Sequence, residues 1–360
     1  MSPLPLPVLV PAAGRHPLAD RLIAEGLPAA DIALVTASSG GAATGRHFAL
    51  RERLQAMTGI GLGPSGGATA LPDRHHLPAT PDRPAMSYLA AGNPVGRRVV
   101  FLHGTPGDAT DWAPFLHRVP DGQHRLAVDR PGFGQSGPGA PVVTLPEQAR
   151  AIAGLIARAG APAVLVGSSY GGPVALQLAA EHPELVAGVL LVGAAADPAR
   201  ERVEAIQHLA ARRGIARMLP RPLAHANAEL LALARELAEL APRLGRIRAP
   251  VTILQGLSDT LVPPENAGYL ASRIGAAARR RVVLVERAGH FLHLLRGSLV
   301  DAVLHQLVED TAPGADPAQG RGRRNGAAPH AGQGWPPAAR RDTPPPRQTA
   351  TPDAQKGSKT

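Results

Sequence analysis

The sequence predicts an α/β fold with a mostly parallel central sheet, and three observations carry that reading. Between residues 86 and 310, short apolar runs alternate with helical patterns. The runs are continuous rather than alternating, which suits strands covered on both faces. One interval, 197–248, breaks the rhythm and carries helical patterns alone, so it reads as a helical insertion between two strands. Strand–helix alternation of this kind closes through right-handed crossovers.

Each element follows from its own stretch of chain. Arg98–His103, Arg125–Asp129, Ala163–Gly167, Leu185–Val192, Val251–Gln255 and Arg281–Glu286 read as buried strands. Helical spacing marks Pro146–Ala159, Tyr170–Glu181, Pro264–Ile274 and Leu299–Val308, with Arg202–Arg212 and Ala228–Leu240 inside the insertion. Met86–Ala91 is the one strand expected before the first strong apolar run.

Composition divides the chain into three zones. It holds 38 Pro and 40 Gly but only 3% aromatic residues. Tyr88, Phe101, Trp112, Phe115, Phe133, Tyr170, Tyr269 and Phe291 all fall between 86 and 291, and large aromatic side chains mark where packing is densest. Residues 1–85 therefore read as an atypical N-terminal extension. It carries weak helical patterns at Leu18–Glu25 and Phe48–Met57 and a Pro/Gly-rich linker ending at Pro84. Residues 86–310 form the expected packed domain, with 197–248 as its inserted helical lid. Residues 311–360 read as a disordered Pro/Gly/Arg-rich tail with little to bury.

The net charge of +10 does not point to nucleic acid. The tail alone holds six Arg and two Lys against three Asp, half of the excess. Elsewhere every Lys/Arg position is Arg, in an Ala-, Gly- and Pro-rich chain, the signature of a biased coding sequence. Cysteine is absent, which excludes a disulfide framework and a thiolate nucleophile or metal site. The longest apolar stretch, Leu185–Ala196, is too short for the ~20 residues of a membrane span. The opening MSPLPLPVLV lacks a basic n-region, so a cytoplasmic location is expected.

Five local features carry chemistry. Gly167-Ser168-Ser169-Tyr170-Gly171-Gly172 follows one strand and opens a helix. A serine on so sharp a turn needs small neighbours on both sides, because the chain folds back on itself. His103-Gly104-Thr105-Pro106-Gly107 follows another strand, where backbone amides can meet an oxygen that gains negative charge. The amides of Thr105 and Tyr170 are the candidate donors, and His103 reads as a structural loop residue. Asp129–Gly137, DRPGFGQSG, is a glycine-rich loop that shapes the pocket floor. Asp259 and Gly289-His290 each lie just past the end of a strand, where ligand crevices form in open α/β sheets. Asp197 is a second candidate acid, but in Ala-Asp-Pro-Ala it reads as a helix N-cap.

Together GSSYGG, HGTPG, DRPGFGQSG, the Asp259 loop and the Gly289-His290 pair resemble the α/β-hydrolase superfamily, and more narrowly its lid-bearing serine esterase and cofactor-free haloperoxidase-like branch. The resemblance covers about 86–310, and it implies a pair of strands before the HGTPG loop, of which Met86–Ala91 alone is represented, so the first edge strand is expected to be missing or displaced. It also implies Ser169 as nucleophile, His290 as base, Asp259 as the acid, and the Thr105 and Tyr170 amides as the oxyanion hole. The order Ser, Asp, His is that of the superfamily's triad. Serine rather than aspartate at 169 disfavours the dehalogenase and epoxide hydrolase chemistry of relatives with a carboxylate nucleophile.

The expected function is hydrolysis of a carboxylic ester with a small or medium acyl group, through an acyl-enzyme on Ser169. The reaction needs no metal and no cofactor, and the partner is a small, apolar ester. With the same triad, an amidase or peptidase, a C–C bond hydrolase, an acyltransferase and a perhydrolase stay open. HGTPG and GSSYG in place of HGGPG and GGSWG count against the proline-iminopeptidase branch. A non-catalytic binding protein of the same fold is the alternative from another class. Arg212, Arg213, Arg217 and Arg221 read as solvated positions rather than as a site for an acidic substrate.

Overall fold

The computed structural model describes residues 10–11, 14, 16–36, 71–158, 160–275 and 278–312. Their strands, in chain order, are β1 Val10–Pro11, β2 Ile32–Val35, β3 Asp73–Leu77, β4 Met86–Gly92, β5 Arg97–Leu102, β6 Gln123–Asp129, β7 Ala163–Ser168, β8 Val186–Val192, β9 Val251–Gly256 and β10 Arg280–Val285. They form one sheet in the order β1-β2-β10-β9-β8-β7-β5-β6-β4-β3. Pairing is parallel from β2 through to β6, with antiparallel strands only at the edges, β1 on one side and β4 and β3 on the other. The six buried strands read from the sequence all appear, within two residues at each end.

Continuous apolar strands are explained by what covers them. Val100, Leu102, Leu165, Val189 and Leu191 face one core with the helices Leu145–Ala157 and Gly171–Glu181. Val99, Phe101, Val164, Val166, Leu190 and Val192 face the other, with Trp112, Phe115 and the helix Gly297–Asp310. Successive side chains point to opposite faces of a strand, and here both faces are dry. Phe101, Trp112 and Phe115 pack at ring-centroid distances of 5.0 to 5.7 Å. Truncating such an aromatic to alanine typically costs ~3–5 kcal/mol.

The route through the sheet places the site. After β5 the chain steps outward to β6, then returns past β5 to β7. The strand order thus reverses at β5, and the loops leaving β5 and β7 border the crevice that such a switch point opens.

The N-terminal stretch departs from expectation. Its helix Pro17–Ala24 matches the Leu18–Glu25 pattern, but β2 pairs in parallel with β10, and β3 pairs antiparallel with β4. The edge strand expected to be missing is therefore Asp73–Leu77, inside the segment read as linker. DRHHL is polar and its exposure pattern lacks a buried face, so neither composition nor periodicity marked it. The sheet crosses the boundary drawn at residue 86. The pattern at Phe48–Met57 and the tail beyond residue 312 lie outside the described residues.

Residues 197–248, between β8 and β9, hold no strand, as expected. They form the helices Ala205–Ala210, Arg213–Ala216 and Arg221–Leu240 with short 3-10 turns. The long helix buries Leu233, Leu237 and Leu240 against the main core. Among the described residues no helix is long and apolar enough to cross a membrane.

Candidate active site

Ser169 stands on the turn between β7 and the helix Gly171–Glu181, with φ of +51°. A non-glycine residue held in this left-handed region costs about 1–3 kcal/mol, so the surrounding chain must enforce it. It does so by contact. A methyl group built on Gly171 would lie 2.3 Å from Leu102 O, and one on Gly167 would lie 2.4 Å from Gly171 O. The chain can cross itself here only with hydrogen at both positions. The consequence is selective exposure: Ser168 and Tyr170 are buried, and Ser169 between them is half-buried.

The loop after β5 presses against this turn. A Cβ placed on Gly104 would be 3.1 Å from Ser169 Cβ and 3.7 Å from its Oγ. The peptide that joins Gly104 to Thr105, and the amide of Tyr170, thus both neighbour Ser169. His103 is fully buried behind the loop. Its Nε2 accepts the N–H of Arg130 at 3.0 Å, and its Nδ1 meets Gly104 O at 2.7 Å. Burial first, and then the Arg130 charge, hold this imidazole well below its ordinary pKa. It is a neutral structural residue, as read from the sequence.

Asp259 and His290 meet beyond the ends of β9 and β10. Asp259 Oδ2 lies 2.8 Å from His290 Nδ1 and 3.3 Å from Gln255 Nε2, while Oδ1 accepts the N–H groups of Leu261 and Val262 at 2.9 and 2.8 Å. With Nδ1–H donated to the carboxylate, the imidazole keeps its lone pair on Nε2. Asp197 is occupied elsewhere: its carboxylate accepts the N–H of Ala199 at 3.1 Å and caps the turn Pro198–Arg200. The end of β8 joins the two halves. Val192 O accepts the N–H of Ser169 at 3.1 Å, and a Cβ on Gly193 would stand 3.4 Å from both Asp259 Oδ2 and His290 Nδ1.

A family model described as the alpha/beta hydrolase family matches residues 99–303, from β5 to within the last helix. The chain belongs to the α/β-hydrolase family. Several named proteins resemble this α/β-hydrolase. Pimeloyl-[acyl-carrier protein] methyl ester esterase of Neisseria meningitidis is 29% identical over 247 residues, 59% of this chain and 93% of that protein. A shorter match joins it to the dihydrolipoyllysine-residue acetyltransferase component of the acetoin cleaving system of Cupriavidus necator. There the identity is 40% over 95 residues, 26% of this chain and only 25% of that protein's length. Among solved structures, a thermophilic esterase from Thermogutta terrifontis superposes with a TM-score of 0.54 over 66% of this chain and 99% of that one, at 24% identity.

Two buried polar groupings of this α/β-hydrolase escaped the sequence reading. Arg130, from the DRPGFGQSG loop, pairs with Glu229 of the helix Arg221–Leu240 at 2.6 Å, both side chains fully buried. A glutamate amid AHANAELLALARELAEL, at a position that faces inward, was the available signal. Ser168 Oγ lies 3.2 Å from Nδ1 of His293, whose ring centroid packs 4.9 Å from that of Trp112. Burial, and then the neighbouring His290, push the His293 pKa down to about 3. Of the four arginines weighed for an acidic substrate, Arg212, Arg213 and Arg217 are exposed. Arg221 is exposed as well, and it donates to the carbonyls of Gly132 and Ser136 at 3.0 Å each.

Proposed function

We propose that this α/β-hydrolase cleaves carboxylic esters of small or medium acyl groups, with Ser169 as nucleophile, His290 as general base and acid, and Asp259 as the group that orients the imidazole. The observation that carries the reading is Ser169 itself: positive φ, strand before and helix after, accessible between two buried neighbours, against Gly104. The Asp259–His290 hydrogen bond supplies the other half.

The reaction follows from these atoms. Ser169 Oγ forms a bond to the ester carbonyl carbon as its proton passes to His290 Nε2, and Asp259 stabilises the imidazolium. The carbonyl oxygen becomes an oxyanion and is met by the amides of Thr105 and Tyr170. Collapse breaks the bond to the alcohol oxygen, which leaves with the proton from Nε2. Water then attacks the acyl carbon, giving its proton to Nε2. The second collapse releases the acid and returns the proton to Ser169.

The choice of an ester rests on the Neisseria relative, which is named for a methyl ester esterase and matches across 93% of its length. We assign the lid role to 197–248, which enters the sheet order between β8 and β9 and would roof the pocket with Ala- and Leu-rich helices. A fluorophosphonate probe tests the proposal directly. It should label the wild-type chain and not Ser169→Ala, and labelled protein should lose turnover of p-nitrophenyl esters. No labelling of the wild-type chain would sink the assignment and favour a non-catalytic binding protein, and labelling that survives Ser169→Ala would sink it in favour of another nucleophile.

A further inference from the structure

The Arg130 guanidinium has five N–H groups, and the structure gives every one a partner. Nε donates to His103 O at 2.9 Å. Nη1 donates to Gln148 Oε1 and Glu229 Oε1, both at 2.6 Å, and Nη2 to Gly104 O at 2.8 Å and Glu229 Oε2 at 3.1 Å. The flat faces are used as well: Cζ lies 4.8 Å from the ring centre of Phe133 and 4.7 Å from that of Tyr170. Gln148 closes the circle by donating to Glu229 Oε1 at 2.6 Å.

Replacing a buried ion pair with apolar residues of similar volume is often neutral or stabilising, so this pair is poor evidence of a need for stability. In a helix already rich in Ala and Leu, leucine at 229 would satisfy packing. What leucine cannot do is hold Arg130 against two loop carbonyls. One of these, Gly104 O, belongs to the same peptide unit as the Thr105 N–H. That peptide is planar and trans, so its C=O and N–H point in opposite directions. Gly104 O accepts from both Arg130 Nη2 and His103 Nδ1, which fixes the plane of the unit and polarises its N–H. The same guanidinium lies on the ring of Tyr170, whose amide is the other donor assigned to the oxyanion.

We propose that Arg130 and Glu229 are positioning residues for the oxyanion hole: Arg130 orients the Gly104–Thr105 peptide and Tyr170, and Glu229 makes that orientation depend on the docked helix Arg221–Leu240. The inference rests on the reading of Ser169 as nucleophile with the Thr105 and Tyr170 amides as donors. It assigns the inserted segment a task besides covering the pocket, because the insertion carries the counter-ion on which the loop geometry depends. Neither residue touches substrate.

The test uses the full chain with Glu229→Gln, and with the paired substitution Arg130→Met and Glu229→Met, which leaves no buried charge unpaired. Melting curves establish that each variant is folded at the assay temperature. Three readouts follow: steady-state hydrolysis of p-nitrophenyl butyrate, the rate of fluorophosphonate labelling of Ser169, and inhibition by a phenylboronic acid that forms a tetrahedral adduct. Loss of one oxyanion donor typically costs about 10²–10³ in kcat. Misalignment of a donor should therefore lower kcat, the labelling rate and boronate affinity together, by roughly 10- to 100-fold in the paired variant, with KM nearly unchanged. Glu229→Gln keeps some hydrogen bonding to Arg130 and should fall between wild type and the pair. A folded paired variant with wild-type kcat and boronate affinity overturns the inference, since a merely structural pair would move the melting temperature alone. Failure of the underlying reading looks different: the wild-type chain itself would not be labelled.

Discussion

Asp259 Oδ2 meets His290 Nδ1 at 2.8 Å, while Oδ1 is held by the N–H groups of Leu261 and Val262. The carboxylate is thus fixed at both ends, and the imidazole inherits its orientation. Asp259→Asn preserves the shape but presents an amide that can donate to Nδ1 and shift the ring proton to Nε2. The expected loss in kcat is up to about 10⁴-fold. Asp197→Asn should retain near-wild-type turnover, because Asn caps a helix about as well as Asp. One activated ester, assayed with both variants, decides between the two acids; full activity in Asp259→Asn would remove it from the triad.

Ser168 and Ser169 should separate activity from stability. Ser169→Ala is expected to stay folded and to keep only the residual ~10³–10⁴-fold catalysis over water that binding and the oxyanion hole supply. Ser168→Ala should stay active but melt at lower temperature. It strips the buried His293 Nδ1 of its partner, and an unsatisfied buried polar group costs about 1–3 kcal/mol. A dead Ser168 variant beside an active Ser169 variant would reverse the roles.

Acid should destabilise the fold through His293. Its pKa falls from 6.5 to about 3 on folding, so between those values the unfolded chain binds the extra proton. Stability from this residue is complete above 6.5 and declines as pH drops through that window. His293→Phe should flatten the melting-temperature profile between pH 6.5 and 4. An unchanged slope would show that other groups set it.

The opposite slope is expected from Asp111. Burial, reinforced by the adjacent Asp108, raises its carboxyl from 3.8 to about 8. The folded state therefore holds a proton that the unfolded chain has lost, and stability falls as pH rises from about 4 to 8. Asp111→Asn should raise the melting temperature at pH 8 and change it little at pH 4, which a pair of melting curves reads directly.

Truncation should depend on where the sheet ends. Arg74 of β3 donates to the fully buried carboxylate of Asp129 and, at 2.7 Å, to Ser87 Oγ. Removing one member of such a pair typically costs about 3–5 kcal/mol. A fragment of residues 86–310 also loses β2, so it should be insoluble or melt well below the full chain. At the other end, Arg97 donates to Val308 O at 2.7 Å and to Thr311 Oγ1 at 3.0 Å, so a cut after 312 should be better tolerated than one after 310. Solubility and melting temperature of the three chains check both statements.

The amino-acid sequence by itself determined the parts of this protein that are local. A continuous apolar run followed by Gly-x-Ser-x-Gly and a helix permits few backbone paths, so the turn at Ser169, the loop at Gly104 and the positions of Asp259 and His290 past their strands were all legible. Asp197 could be set aside as a cap for the same reason: a cap and its N–H groups lie within one turn of chain. Tertiary structure decided what depends on neighbours distant in sequence. Asp73–Leu77 is a strand because β4 offers an unpaired edge, and its own residues bury no face that could announce it. Arg130 and Glu229 stand 99 residues apart, and nothing in either segment names the other. An arginine in a loop and a glutamate in a helix are ordinary surface residues until packing removes the water around both. Only then must each find the other, and the carbonyls of His103 and Gly104 with it.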